Sequence, residues 1–544
     1  MRRDPSRLTT SEFDLLVVGA GIYGATVAWD ATQRGLRVAL IDKGDFGAGT
    51  SFNNAKTVHG GVRSLQRGHL GEMRQYLRER RALLHILPHL VHPLPFLLPT
   101  GSGLMRHKLA LAAYFKANDL LAADRNAIPD SSKHLPASRV LSRAECLQLT
   151  PWIDPHGVTG AIEWHDAQFS NSSRAELAFI RTAVRHGLEA ANYVEATGLI
   201  ASDGRASGVM ARPSGDDQEF PIRARASLVA AGGWTDEWLV RTLQGKRRRP
   251  VPHWSIAMNL VLTGKGGRHA VGGSSRGRLF FLAPWRGATI AGTSHDPWTS
   301  RADVIAPRRE DVAQLLADLQ AAFPRAAISA DDVRLVHRGL LPATEASPAR
   351  VTLLRESPFI DHGEDGCAHL FSLVGVRYTT ARHSAERAVD AIVRALGVSA
   401  PRCATATTRL DGGVIDRFDA FLDDARRQAT PALTAETIER LIVNYGTAWT
   451  DVAAHGPGAL APLGARCEVT AAEILYAVQE EMAVTLADAV LRRTEAGSRG
   501  HPGDDALRAA AAVMGEALGW SETQRADECR AVARAYDAAA VRGN

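Results

Sequence analysis

The chain of 544 residues has little cysteine, only five, scattered at positions 146, 367, 403, 467 and 529. No two of them stand at metal-ligand or CxxC spacing, and the odd number does not suggest a disulfide framework. Such usage fits a reducing compartment, and no metal site is expected. Long apolar runs are missing as well. Nothing approaches the roughly 20 consecutive apolar residues that span a bilayer. Met1-Arg2-Arg3-Asp4-Pro5-Ser6 is charged and is not followed by the apolar core of a signal peptide. The expected location is therefore cytoplasmic, or peripheral on the inner face of a membrane. Charge of one sign is scarce too, since 64 Lys and Arg against 59 Asp and Glu leave a net +5. So small an excess argues against nucleic acid as a partner, though it would suit an anionic substrate or a membrane surface. Internal repeats and low-complexity segments are absent.

What is present begins with the make-up of a soluble globular protein, 45% apolar and 23% charged. Phe13-Asp14-Leu15-Leu16-Val17-Val18 is a short apolar run that stops at glycine, the pattern of a buried parallel strand. Gly19-Ala20-Gly21-Ile22-Tyr23-Gly24 follows, then an Ala-rich helical stretch through Arg34 that Gly35 ends as a C-cap. Arg37 to Ile41 makes a second strand, closed by Asp42. In this order the glycines do different things. Gly19 permits the tight turn, Gly21 lets backbone approach a pyrophosphate, and Gly24 lets helix pack near strand. The helix start offers free N–H groups to phosphate, and Asp42 stands where a carboxylate accepts from ribose hydroxyls. The segment binds the ADP half of a dinucleotide.

The continuation selects FAD over NAD. Instead of another strand–helix unit, Lys43 leads into a glycine- and hydroxyl-rich loop, Gly44 to Ser51, suited to wrapping a long cofactor. Thr50 and Ser51 are placed to donate to the pyrophosphate, and Gly60-Gly61 to lie against a flat ring. The combination Gly49-Thr50-Ser51, Lys56 and His59-Gly60-Gly61-Val62-Arg63 resembles the FAD-dependent glycerol-3-phosphate dehydrogenases, within the D-amino-acid-oxidase-like flavoproteins. The likeness continues through Ala230-Ala231-Gly232-Gly233-Trp234, Pro284-Trp285, Ile290 to Asp296 and Ser372 to Arg382. It extends to Ala472 to Val478 and Asp488 to Thr494, which resemble that family's helical C-terminal domain and so cover nearly the whole chain.

The resemblance implies a fold both α/β and α+β. A discontinuous Rossmann-like FAD-binding domain would comprise residues 1–95, 155–245 and 335–395. A mixed-sheet substrate domain would comprise 96–154 and 246–334, with the basic segment Lys246 to Pro252 as a crossing. A helical C-terminal cap would follow over 396–544, opening at the turn Asp411-Gly412-Gly413, with a loop between helices at 497–504. The activity implied is oxidation of sn-glycerol 3-phosphate to dihydroxyacetone phosphate by hydride transfer from C2 to flavin, with electrons passed to a quinone or another acceptor. Peripheral membrane contact and a homodimer are both compatible with it.

Implied cofactor contacts are Gly19, Ala20, Gly21, Gly24, Asp42 and Lys43, then Thr50, Ser51, Lys56, Gly60 and Gly61, and finally Val194, Gly232, Gly375, Thr379 and Thr380. The two threonines would also cap the following helix. Lys56 either touches the cofactor or is an ordinary surface lysine. Arg63, His59 and Arg377 are the candidates nearest the chemistry: Arg63 for the substrate, His59 beside the flavin, Arg377 as a cation near the ring where the family carries lysine.

Three departures bear on the substrate. Arg338-Gly339-Leu340-Leu341-Pro342 has Leu341 where the family has a substrate arginine, Asn259 stands at a family histidine, and Ser64 at a tyrosine. Leucine cannot hydrogen-bond a phosphate, and an unpaired buried dianion is prohibitive. Either Arg338, His337 or His295 supplies the cation, or the substrate is a different hydroxy compound or an amine. A non-catalytic FAD-binding protein is the remaining alternative. Residues 90–122 also read two ways. Leu94 to Pro99 is taken as an apolar loop, and the basic amphipathic stretch after Arg106-His107-Lys108 either lies in a membrane interface or is a buried helix with a solvated basic end.

Overall fold

A computed structural model describes residues 1–537 except 63, 65–67, 104–105, 244–248, 266, 306–307 and 348–349. The strand Phe13–Val18 pairs in parallel with Val38–Ile41 on one side and Phe220–Val229 on the other. A parallel sheet needs cover on both faces. The helices Ile22–Gln33, Ser172–Arg185 and Ala381–Leu396 supply it on one side, packing together over Leu15, Val17 and Leu40. The helix Ile22–Gln33 is buried along almost its whole length, and Gly35, at φ +84°, turns the chain out of it. The sheet runs Phe359–Asp361, Leu370–Leu373, Phe220–Val229, Phe13–Val18, Val38–Ile41, Glu189–Ala191, and a meander of Val194–Ser202 and Arg205–Pro213 hangs from Phe220–Val229.

The second sheet is mixed. Its long antiparallel core is Val333–Ala346, His253–Thr263, Ala288–Trp298 and Arg278–Trp285, and Ala270–Ser275 then pairs in parallel with Val91–Thr100. Gly160–Phe169 and, from residue 335 on, Val333–Ala346, which the sequence layout groups with the cofactor region, run in this sheet. The reason is their partners: Gly160–Phe169 is matched along its length to Val91–Thr100.

Residues 94–99 are thus not a loop but the middle of a strand. The three prolines, 93, 95 and 99, share one parity, so the missing N–H groups fall along one edge and leave the other free to pair. The next helix, Lys108–Leu121, buries Leu111 and Phe115 against Phe96 and Trp164. Its other side is apolar too: Leu109 is 72% and Leu120 78% exposed.

The C-terminal region is helical, with Phe418–Arg426, Ala435–Tyr445, Ala471–Glu481, Asp504–Leu518 and Glu522–Arg534 as its main helices. It docks on the first sheet's helices through buried charge. Arg174 forms a two-pronged pair with Glu481 at 2.8 and 3.0 Å and donates to the carbonyls of Asn444 and Arg493. Arg181 pairs with Asp411 and donates to Tyr476 Oη. Pairs so deeply buried persist only when their remaining donors are satisfied, as these are. Among the described residues no helix is long and apolar enough to cross a membrane, and no group of His, Cys, Asp and Glu could hold a metal ion.

Candidate active site

The ends of both sheets open on one cavity of about 620 Å³. The turn after Phe13–Val18 forms one wall of it. Gly19 holds φ +99°, and a Cβ on Gly24 would sit 1.8 Å from the Gly19 carbonyl oxygen, so the helix can start this close to the strand only with glycine there. The first free amides of that helix face the cavity. One is taken: Ile22 N–H donates to Ser51 Oγ at 2.8 Å.

Asp42, at the end of its strand, accepts from Ala20 N–H at 2.7 Å and Gly44 N–H at 2.9 Å. Burial pushes its carboxyl up to about 6 against those two hydrogen bonds. Each oxygen keeps a lone pair for a ribose hydroxyl. The close helix start, the acidic strand end and a cavity reaching from the first sheet to the second fit a flavin dinucleotide.

Of the residues singled out in the sequence, Gly19, Gly21, Asp42, Lys43, Thr50, Ser51, Lys56, His59, Gly232, His295, Gly375, Arg377 and Thr379 all line this cavity, as do Asn259 and Leu341. Arg63 lies outside the described residues. Ala20, Gly24 and Val194 stand just behind the wall; Val194 N–H donates to Asp42 O at 2.7 Å.

Gly60 and Gly61 are not among the residues that line the cavity, and protein stands close on the side where a Cβ would be. A Cβ on Gly60 would meet Arg80 and Asp166, and one on Gly61 the Tyr76 ring. Thr380 sits at the start of the helix Ala381–Leu396 without capping it. A short 3₁₀ turn precedes the helix, and the Thr380 hydroxyl donates back to Arg377 O instead. Thr50 likewise donates to Leu340 O at 3.3 Å.

Lys56 is no surface lysine. It is 3% exposed, donates to Phe52 O and Ser172 Oγ, and burial pushes its ammonium down to about 7. Beside it, His337 packs edge-on to Phe52, and burial followed by the Lys56 charge holds its imidazole well below its usual range. A neutral His337 cannot be the missing cation. Nor does Arg338 reach the cavity; its Nε donates to Ile305 O at 2.5 Å.

The second sheet supplies the polar end. Ala257 lies opposite His295, and an irregularity between Met258 and Asn259 shifts the register by one so that Asn259 pairs with Gly292; Ala257, Asn259, Thr293 and His295 all line the cavity. Thr293 Oγ1 donates to Asn259 Oδ1 at 2.6 Å, which turns the asparagine into a donor through its NH₂. Arg377 Nη1 donates to Arg355 O at 2.7 Å and lies 3.5 Å from Glu72. Tyr76, Glu195 and Arg241 also line the cavity; no motif marks them, because each sits on an element whose own pattern speaks only of helix or strand. At the mouth, Lys43 pairs with Asp303 at 2.7 Å and stacks over Trp234.

Residues 14–391 match the family described as FAD dependent oxidoreductase, and residues 403–525 the C-terminal domain of alpha-glycerophosphate oxidase. The chain is 30% identical to the glycerol-3-phosphate dehydrogenase of Synechocystis, over 96% of each chain. It is 31% identical to the mitochondrial glycerol-3-phosphate dehydrogenase of Mus musculus, over 96% of this chain and 73% of that one. The solved structure of the glycerol-3-phosphate dehydrogenase from Bacillus halodurans, complexed with FAD, superposes with a TM-score of 0.76 at 25% identity, covering 99% of this chain and 97% of that one. L-alpha-glycerophosphate oxidase from Mycoplasma pneumoniae, with FAD bound, shares the fold at a TM-score of 0.53 and 15% identity, covering 74% of this chain and 98% of that one.

Proposed function

The chain belongs to the FAD dependent oxidoreductases that carry the C-terminal domain of alpha-glycerophosphate oxidase, and on that premise we propose that it oxidises sn-glycerol 3-phosphate to dihydroxyacetone phosphate and passes the electrons to a quinone. The observation that carries this reading is the single cavity in which a dinucleotide-type turn meets a polar end lined by His295, Asn259 and Thr293. The Gly19–Gly24 turn, Asp42 and the Gly44–Ser51 loop would hold FAD, which when bound would supply the hydride-accepting chemistry. The protein's own part is to orient the alcohol and move one proton. His295 is the group assigned to take the hydroxyl proton, the Asn259 amide donates to a substrate oxygen, and Arg377 brings positive charge to the cavity wall. Arg63 keeps, from the sequence alone, its assignment to the substrate. The test is anaerobic: millimolar glycerol 3-phosphate is expected to bleach the flavin absorbance, and a quinone analogue to restore it. A flavin that stays oxidised removes this reading.

A second reading rests on Leu341 and Asn259, both of which line the cavity and neither of which carries charge. A dianionic phosphate needs cations around it, so an uncharged hydroxy compound or an amine is the competing substrate. A substrate panel under the same anaerobic conditions separates the two.

The helix Lys108–Leu121 supports peripheral membrane contact. Leu109 and Leu120 stand 72% and 78% exposed, Ala110, Ala113 and Ala117 are exposed with them, and Lys116 and Arg106 flank the face. Apolar surface beside basic side chains is the composition of an interfacial helix. Leu109→Asp combined with Leu120→Asp is expected to weaken binding to vesicles of phosphatidylglycerol and phosphatidylethanolamine by about tenfold or more, since each buried leucine contributes roughly 1.5–3 kcal/mol. Unchanged co-sedimentation would remove the helix from the contact.

A further inference from the structure

The loop from Lys43 to Ser51 forms much of the cavity wall, yet it is neither helix nor strand. Its backbone bonds are few: Ala48 N–H to Asp45 O, Gly47 N–H to Ala20 O, Phe52 N–H to Gly47 O and Tyr193 N–H to Gly44 O. A loop of this composition needs an outside hold to keep one shape. Asp45 receives it. Arg493 donates to both of its oxygens, Nη1 to Oδ2 at 2.8 Å and Nη2 to Oδ1 at 2.6 Å, in the planar fork-to-carboxylate arrangement. Arg492 Nε adds a bond to Oδ2 at 2.5 Å and Asn192 Nδ2 one to Oδ1 at 3.0 Å.

A carboxylate has about four acceptor positions, and these four donors fill them. Three of the four come from the C-terminal domain, about 450 residues further along the chain. The arginines are fixed in turn. Arg493 Nε donates to Glu481 O at 2.9 Å, Arg492 Nη2 to Asp488 at 2.6 Å, and Tyr193 Oη also donates to Asp488. All of these carboxylates and guanidiniums are buried. Glu176 also stands close to the loop, its carboxyl within 3 Å of where a Cβ on Gly47 would be.

We propose that the C-terminal domain is a working part of the cofactor site: through Arg492 and Arg493 it holds Asp45, a positioning residue, and thereby fixes the loop that encloses the FAD. Asp45 itself has no acceptor capacity left for the cofactor, so its effect passes through the shape of Lys43 to Ser51. The inference rests on the cofactor part of the proposed function and not on the substrate.

The rate at which the purified holoenzyme loses FAD tests it, followed by the rise of flavin fluorescence on release, well below the melting temperature. Asp45→Asn and Arg493→Met are expected to release FAD roughly tenfold faster or more, because each breaks a charged, buried hydrogen-bond set. Asp411→Asn is the control. It breaks a largely buried pair with Arg181 across the same domain boundary but touches no residue of the loop, and its release rate is expected to stay within about twofold of wild type. Arg493→Lys, which keeps the charge and loses the fork, is expected to fall between and stands in if Asp45→Asn does not fold. Wild-type release rates in Asp45→Asn and Arg493→Met, or equal acceleration in Asp411→Asn, would overturn the inference while leaving the proposed function intact. A wild-type protein that takes up no flavin would overturn both.

Discussion

Replacing His295 by alanine is expected to lower kcat/KM by about 10²–10⁴-fold, the range for loss of a general acid–base group, with flavin content unchanged. His295 belongs to the strand Ala288–Trp298, and its neighbours on the cavity face are Ala257, Asn259 and Thr293. Asn259 cannot take a proton, and Thr293 is committed as a donor to it. Of the two imidazoles that line the cavity among the described residues, His59 is exposed, whereas His295 is half-buried on the rigid second sheet. A base held on a strand keeps its reach to the substrate hydroxyl better than one on a loop. His59→Ala is therefore expected to cost less than about tenfold, acting through the cofactor environment. His295→Asn separates chemistry from binding: it keeps a hydrogen bond but not proton acceptance, so kcat should fall while KM moves little. If His295→Ala changes kcat/KM by less than about threefold, the proton goes elsewhere and His59 becomes the candidate.

How far the sequence reaches depends on whether a residue's role is set by near neighbours. The Phe13 to Asp42 unit is legible because strand, turn and helix are written in local periodicity and glycine spacing. The structure bounds its elements at Phe13–Val18, Ile22–Gln33 and Val38–Ile41. Asn259 and Leu341 stand out as neutral residues at a polar site, and the structure brings both to the cavity. What fails is whatever depends on a distant partner. Proline density hides the strand Val91–Thr100, whose existence is decided by pairing with Gly160–Phe169. Gly60 and Gly61 look like space left for a ring, and on the side a Cβ would take they face Arg80, Asp166 and Tyr76 from other elements, which no local pattern announces. Arg338 looks like a substitute cation until the fold turns it to Ile305 O. Asp45 gives no signal at all, since its partners Arg492 and Arg493 lie at the far end of the chain.

Gly24→Val is expected to yield protein without bound flavin, and Gly24→Ala protein with a fraction of it. The cause is distance rather than backbone conformation. A Cβ at residue 24 would lie 1.8 Å from the Gly19 carbonyl oxygen and 3.3 Å from Val17 Cγ1. Both neighbours belong to the strand end and turn, and a carbonyl oxygen in the backbone cannot rotate aside as a side chain can. The helix Ile22–Gln33 must then shift away from Phe13–Val18, carrying its N-terminal amides with it. That overpacking costs about 1–3 kcal/mol in stability, more for valine, and the displaced amides no longer meet the phosphates. Gly35→Ala tells the two effects apart. Gly35 holds φ +84° but has open space where a Cβ would go. Alanine there strains the backbone by about 1–2 kcal/mol without moving the helix start, so its melting temperature should fall while its flavin absorbance per mole of protein stays at the wild-type level. If Gly24→Val retains full flavin, the close approach of helix to strand is not what the cofactor requires, and Asp42 with the Lys43–Ser51 loop must hold it unaided.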